Sequence, residues 1–480
     1  MDNGNDNNAK RLLWAGFMAI LAAGVGFSIR GGILGDWGRE FGFTQSELGG
    51  ITGGGLTGFG LIILIGALFA DKLGYGKLMI FAFICHFASA VLTLAAAPIF
   101  KASGKDAAYQ CLYWGMFLFA IGNGTAEAVV NPLVATLFPK QKTHYLNILH
   151  AGWPGGLILG GLASFFMVGK VKWEIQMSLF LIPVVLYGIM CYGRHFPKSE
   201  ASTHGVSYGS MLAVFASPIL LFLLVIHALV GYVELGTDSW ISNITGNILA
   251  SPQNGLLLFV YTSALMFTLR FFAGPIVHRI SPLGLLFVSA LFGATGLTML
   301  GSASTGVLVV VAATIYGIGK TFLWPTMLGV VSEQFPKGGA ITIGAIGGIG
   351  MLSAGMLGGP GIGYKQDYFA STELKQKAPA VYEQYKSPSE NSFLFFPKIQ
   401  GLDGSKVGEV RGKSEAARSE GEKQVHDADL YGGRTALKVT AAVPAVMAIA
   451  YLILILVYKA KGGYKAVHLE STGPGSRKQA

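Results

Sequence analysis

The sequence predicts an all-α polytopic membrane protein with twelve transmembrane helices in two pseudo-symmetric six-helix bundles. Three observations predict it. Hydrophobic residues make up 52% of the 480 and charged residues only 12%, about half the charged share of soluble globular domains. Twelve apolar stretches each approach the ~20 residues that a bilayer core requires. A short sequence pattern also recurs at one fixed offset, linking the two halves of the chain. Mean hydropathy is +0.54, and a disordered chain needs far more charge. Glycine, 68 residues, lacks the three-residue period of collagen.

The stretches lie near 12–34, 47–70, 77–99, 108–137, 146–169, 174–192, 210–235, 254–277, 283–302, 306–331, 340–363 and 436–459. The first has too long an apolar run for a cleaved leader, and Lys10 and Arg11 precede it. With the N-terminus placed in the cytoplasm, fifteen Lys and Arg fall on the inner side, from Lys10 and Arg11 to Arg477 and Lys478. Five fall in the outer short loops: Arg39, Lys101, Lys105, Lys170 and Lys172. This bias predicts two cytoplasmic termini in a plasma (inner) membrane protein. It also explains the net charge of +10 without nucleic acid. The expected organisation is a first bundle over 1–192, a cytoplasmic linker over 193–209, a second bundle over 210–459 and a cytoplasmic tail over 460–480. Residues 364–434 form a polar insertion before the last helix, with eleven basic and eleven acidic side chains. It is read as a solvated extracytoplasmic segment, with Phe393 to Pro397 as an apolar patch that could anchor a small folded unit. The stretch from Gly404 to Asp429 reads as helical or disordered.

The repeat pairs Ile121-Gly122 and Phe138-Pro139-Lys140 with Ile318-Gly319 and Phe335-Pro336-Lys337, offset by 197 both times (318 − 121 and 335 − 138). The fourth stretch therefore matches the tenth. Parallel halves of this kind place substrate at their interface near mid-membrane. The glycines of the second, fifth and eleventh stretches suit close helix contact, whether static or between moving bodies.

Ionisable groups within hydrocarbon are costly and point to function. Glu127 is the sharpest case. It lies four residues before Asn131, on one helix face, and Pro132 frees the carbonyl of Ala128. A carboxylate, an amide and a bare carbonyl together suit hydroxyl groups, which both donate and accept. Desolvation favours the neutral carboxyl, so Glu127 is suited to bind a proton on one side and release it on the other. The alternative is permanent pairing with a cation. Arg30 in the first stretch either pairs with Glu127, reaches an anionic substrate or snorkels to the outer interface. The second half adds Lys320 near mid-span, Arg270 a little past the middle of the eighth stretch, and Glu234 near the outer end of the seventh, close to Asp238 and Trp240. Trp324, offset by 197 from Glu127, offers an indole for the apolar face of a sugar ring or for packing. His86 and His227 read as structural. The three cysteines have neither disulfide nor metal spacing. No phosphate-binding glycine loop and no catalytic or metal signature stands out, so no cofactor, no metal and no enzyme activity is expected. A membrane sensor or an integral-membrane enzyme remains a remote alternative.

The loop after the second stretch reads Ala70-Asp71-Lys72-Leu73-Gly74-Tyr75-Gly76-Lys77. It resembles the signature of the major facilitator superfamily, G-x-x-x-D-R/K-x-G-R/K, with Gly66 one residue further from Asp71. The resemblance implies a secondary transporter of twelve helices, with Asp71, Lys72 and Gly74 as a conformational latch. Arg270 to Arg279 looks like a weaker second-half copy of that loop. Gly122 to Pro132 and Leu146-Asn147-Ile148-Leu149-His150-Ala151-Gly152-Trp153-Pro154-Gly155-Gly156 further resemble the fucose–proton permease group of sugar symporters. That likeness implies a monomeric, proton-linked sugar importer. Glu127 would be the proton or sugar carboxylate, Asn131, Asn147 and His150 polar contacts, and Trp153 part of the same site. The group carries an acid in the first helix where this chain has Arg30. A sugar acid or other organic anion is the alternative cargo, since Arg30, Arg270 and Lys320 outnumber Glu127 and Glu234.

Overall fold

The computed structural model describes residues 3–43 and 45–469. Arg477 and Lys478, which the charge count includes, lie outside the described residues, as does the far end of the tail. Eleven helices are long and apolar enough to cross a membrane among the described residues. A further helix, Pro252–Arg270, is more polar and completes a set of twelve spans.

The first six spans are Asn3–Phe41, Glu47–Leu73, Tyr75–Leu94, Lys105–Leu137, Lys142–Met167 and Trp173–Cys191. The second six begin with Pro218–Ile248 and Pro252–Arg270. The helix Ala273–Ser302 doubles back at Ser281, φ 64°. Its first turns therefore continue the eighth span, and the remainder forms the ninth. Gly306–Gln334, Pro336–Lys377 and Glu420–Ala460 complete the set. The internal repeat is visible in the backbone. Phe138 and Phe335 end the fourth and tenth spans with the same φ of −127°. Their N–H groups bond to the carbonyls of Val134 and Val331, again 197 apart.

Glycine sets the closest approaches. In the first half, Gly24 of span one lies against the backbone of Trp153 and Gly156 in span five; a Cβ there would sit 2.4 Å from the Trp153 carbonyl. In the second half, Gly231 of span seven touches Gly350 of span eleven even more closely. Each half thus uses the same device, a side-chain-free face that lets two backbones meet.

Both ends of the described chain lie on one side of the bundle, here the termini side. Arg11 donates to the carbonyls of Ile189 and Met190 at the end of span six, and the Val467 N–H donates to Glu333 O at the end of span ten. The halves meet tightly on this side. Lys142 Nζ donates to Ser332 O (3.2 Å), Thr143 Oγ1 to Glu333 Oε1 (2.6 Å), and the Gly274 N–H to His144 Nδ1 (3.1 Å). Spans two and eleven pack through Ala67 on Gly344 and Leu64 on Gly348.

One expectation needs correction, and one left open takes a definite form. Span seven runs Pro218–Ile248 rather than 210–235, because its polar second part, Thr237–Ile248, stays helical beyond a π-turn at Tyr232–Gly236. The insertion after span eleven is folded. Spans eleven and twelve continue outward as Gly359–Lys377 and Glu420–Thr440. Between them sit Pro379–Tyr385 and Gly404–Gly412 around a small core of Leu374, Tyr382, Val407, Val410 and Val425. A capping box at Ser419 and Glu422 starts the returning helix. The apolar patch is tied down where Tyr364 donates to the Pro397 carbonyl (2.7 Å).

Candidate substrate site between the two halves

Span four buries nearly every residue from Gly122 to Ala135, so a carboxylate there must find partners within the protein. Glu127, 6% exposed, accepts from Asn131 Nδ2 at 2.6 Å. The i, i+4 spacing puts both on one face. Asn131 Oδ1 accepts only, so His150 Nε2 donates to it, at 2.8 Å. The same nitrogen lies 3.9 Å from Glu127 Oε2. One amide therefore bridges an acid on span four and an imidazole on span five, and among the described residues no Lys or Arg lies within ion-pair distance of the Glu127 carboxylate.

Span five breaks at Ala151, ahead of Pro154. Arg270 NH1 reaches the carbonyl of His150 at 2.5 Å, Nε the carbonyl of Thr321 at 2.8 Å, and NH2 Glu234 Oε1 at 2.9 Å. Glu234 is therefore no interfacial residue. It is 2% exposed, at the middle of the extended span seven, on the π-turn whose Val233 carbonyl accepts from Tyr316 OH. One helical turn on, Asp238 Oδ1 takes Lys320 Nζ at 2.5 Å. Two buried ion pairs thus stack within the second half. Such pairs are tolerated because each charge is matched, not because burial favours them.

The remaining expected residues fall in different places. Asn147 donates to Thr143 O and, across the halves, to Thr326 Oγ1 at 3.2 Å, while its Oδ1 has no partner. Trp153 rests near Phe27 (5.7 Å between centroids) with a buried, unpartnered Nε1. Trp324 packs against His227 with ring centroids 4.7 Å apart and planes tilted by 59°. Arg30 corrects one expectation. It neither pairs with Glu127 nor snorkels, being 2% exposed. It donates to Gly26 O and Ser89 Oγ, with its guanidinium 4.0 Å over the Phe119 ring. Phe119 is eight residues from Glu127, about 12 Å along a helix.

On the termini side, Asp71 lies beside Gly339 at the start of span eleven, Lys72 sits 4.2 Å over the Tyr208 ring, and Gly74 turns the chain with φ +83°. Arg270, read as part of a second such loop, is buried well before its turn. Arg279 stands two residues ahead of Ser281, as Lys72 stands ahead of Gly74.

Sequence reasoning missed one residue of the ion-pair network. Asp238 fell outside the seventh stretch because its neighbours are polar. His227 is fully buried with both ring nitrogens unpartnered, unlike His86, which binds Tyr187 and Asn123. The signal for Asp238 was there, in a buried Lys320 that needed an acid.

A profile of the Major Facilitator Superfamily matches residues 16–360. The chain belongs to the major facilitator superfamily. Within it, the fold is similar to that of the E. coli fucose:proton symporter (TM-score 0.60, 15% identity, 92% of this chain and 98% of that one). It is also similar to the proton:xylose symporter bound to 6-bromo-6-deoxy-D-glucose (TM-score 0.66, 14%, 93% and 95%) and to the human organic anion transporter MFSD10 (TM-score 0.61, 13%, 92% and 99%). A cis,cis-muconate transport protein of Acinetobacter baylyi is 23% identical over 177 residues, 36% of this chain and 40% of that relative's length. Arg270 NH1 on the His150 carbonyl is the contact that joins the Glu127 cluster of the first half to the ion pairs of the second.

Proposed function

We propose that this protein is a monomeric secondary transporter of the inner membrane, with cytoplasmic termini, that imports a sugar together with a proton by alternating access. The observation that carries the reading is the Glu127–Asn131–His150 cluster. It is a buried carboxyl that accepts from an amide, which in turn accepts from an imidazole, so no Lys or Arg ion pair has to break for it to be protonated. Sugar hydroxyls both donate and accept. Asn147 Oδ1, Trp153 Nε1 and the ring nitrogens of His227 are buried polar atoms free to meet them, and the indole of Trp324 offers a stacking face. Asp71, Lys72 and Gly74 serve as the latch on the termini side, where Asp71 meets span eleven when the halves close.

Sugar and sugar-acid cargo divide on charge. Arg30, Arg270 and Lys320 suggest an anion, and the muconate relative is in keeping with one. With Asp238 added, however, the buried acids Glu127, Glu234 and Asp238 equal the three cations in number, and both second-half cations are already paired. A neutral sugar fits that balance better. Neutral sugars and their acid counterparts, screened for thermal stabilisation of the purified protein, decide cargo class, because a ligand that binds only the folded state raises its stability. Stabilisation by the acids alone overturns the sugar reading. In liposomes Glu127→Gln should abolish pH-driven accumulation and retain counterflow. Normal accumulation by that variant removes Glu127 from coupling.

A further inference from the structure

Proline inside a helix leaves the carbonyl four residues earlier without its N–H, and hydrocarbon offers no water to replace it. Pro154 does this to His150 and Pro325 does it to Thr321. One side chain takes both carbonyls. Arg270, with its side chain 1% exposed, donates NH1 to His150 O and Nε to Thr321 O and keeps NH2 on Glu234. Thr321, Glu234 and Arg270 itself belong to the second half. His150 belongs to the first. The guanidinium's planar fork of donors makes it suited to several fixed acceptors at once.

We propose that Arg270 is a positioning residue that staples the two halves in the state closed on the termini side. Its bond to the His150 carbonyl forms as that side closes and breaks as it opens. The inference rests on the carrier reading above. Its support is that the closing contacts of Lys142, Thr143 and His144 lie on Lys142–His150, the same helix that ends in the stapled carbonyl. When that helix withdraws from span ten, the carbonyl leaves with it, while Thr321 and Glu234 stay with Arg270. The imidazole of His150 leaves too, so the partners of Glu127 and the closure of the gate change in one movement.

The test is a distance measurement by electron paramagnetic resonance on the full chain in nanodiscs, without substrate or pH gradient. Spin labels go at the exposed positions Lys140 and Lys337 on the termini side, and at Lys172 and Gln253 on the other. The free cysteines Cys85, Cys111 and Cys191 are first replaced. Pro154→Ala restores an N–H that competes for the His150 carbonyl. The closed-to-open ratio should fall about tenfold, the factor expected when a hydrogen bond from a charged donor is lost. The same substitution in an Arg270→Lys background should add little, since the staple is already broken. Pro183→Ala, in span six and outside the site, controls for helix straightening and should leave the ratio unchanged. Equal shifts from Pro154→Ala with and without Arg270, or an equal shift from Pro183→Ala, overturn the staple. If Pro154→Ala gives no folded protein, Arg270→Lys alone decides: the same shift supports the staple and an unchanged ratio overturns it. An unshifted ratio in a variant that still accumulates sugar removes the staple alone. A single distance under every condition removes the carrier reading as well.

Discussion

The two halves share a backbone plan and treat charge differently. In the first half the acid at the interface, Glu127, is held by neutral groups, and the buried cation, Arg30, lies apart with a hydroxyl, a carbonyl and an aromatic ring. In the second half Arg270 and Lys320 each grip a carboxylate. With Glu127 in the proposed coupling role, the difference assigns the change of charge to one half and its retention to the other. A lone buried acid is stable in its neutral form and costly in its charged one. A matched pair is stable only while both members stay charged, since removing one strands the other.

Four measurements test that contrast. Arg270→Met should be the most damaging, since it strands Glu234; breaking a buried pair costs about 3–5 kcal/mol. The melting temperature in detergent should fall steeply, and Arg270→Met with Glu234→Gln should recover part of the loss. Asp238→Asn is expected to follow, stranding Lys320, with a smaller drop because the amide still accepts a hydrogen bond. Glu127→Gln, by contrast, should change stability by no more than about 1 kcal/mol, the net worth of an ordinary hydrogen bond, and so barely move the melting temperature. If it destabilises as much as Arg270→Met, the halves are not distinct. The smallest stability effect is expected from His227→Leu. It removes two unpartnered nitrogens, so folding should be unaffected or improved, while the KM for sugar uptake rises about tenfold if the ring meets a hydroxyl. An unchanged KM would place His227 in packing alone.

Much of this was legible in the chain. The twelve spans, the repeat and the pairing of Glu127 with Asn131 follow from hydropathy and from i, i+4 spacing, which are local. What the sequence hid was long-range or disguised. Span seven looked shorter because Thr237, Asp238, Ser239 and Asn243 read as a loop, yet the helix continues there, with Asp238 held by Lys320 of span ten and Ser239 returning its hydroxyl to the Leu235 carbonyl of its own helix. Arg30 invited a partner of opposite charge and found a ring instead, a choice that only the packing of spans one, four and six decides. The insertion read as largely solvated because its core is only seven side chains, six aliphatic and one tyrosine, dispersed over more than fifty residues.

That insertion has a mechanical consequence. It rides on two uninterrupted rods, Gly359–Lys377 and Glu420–Thr440, which grow directly out of the second half. The fifteen residues from Gly363 to Lys377 alone reach about 22 Å. Any rotation of that half is therefore magnified at the tip, so the cap acts as a pointer whose swing can be followed from outside the membrane by a bound antibody fragment or a fluorophore.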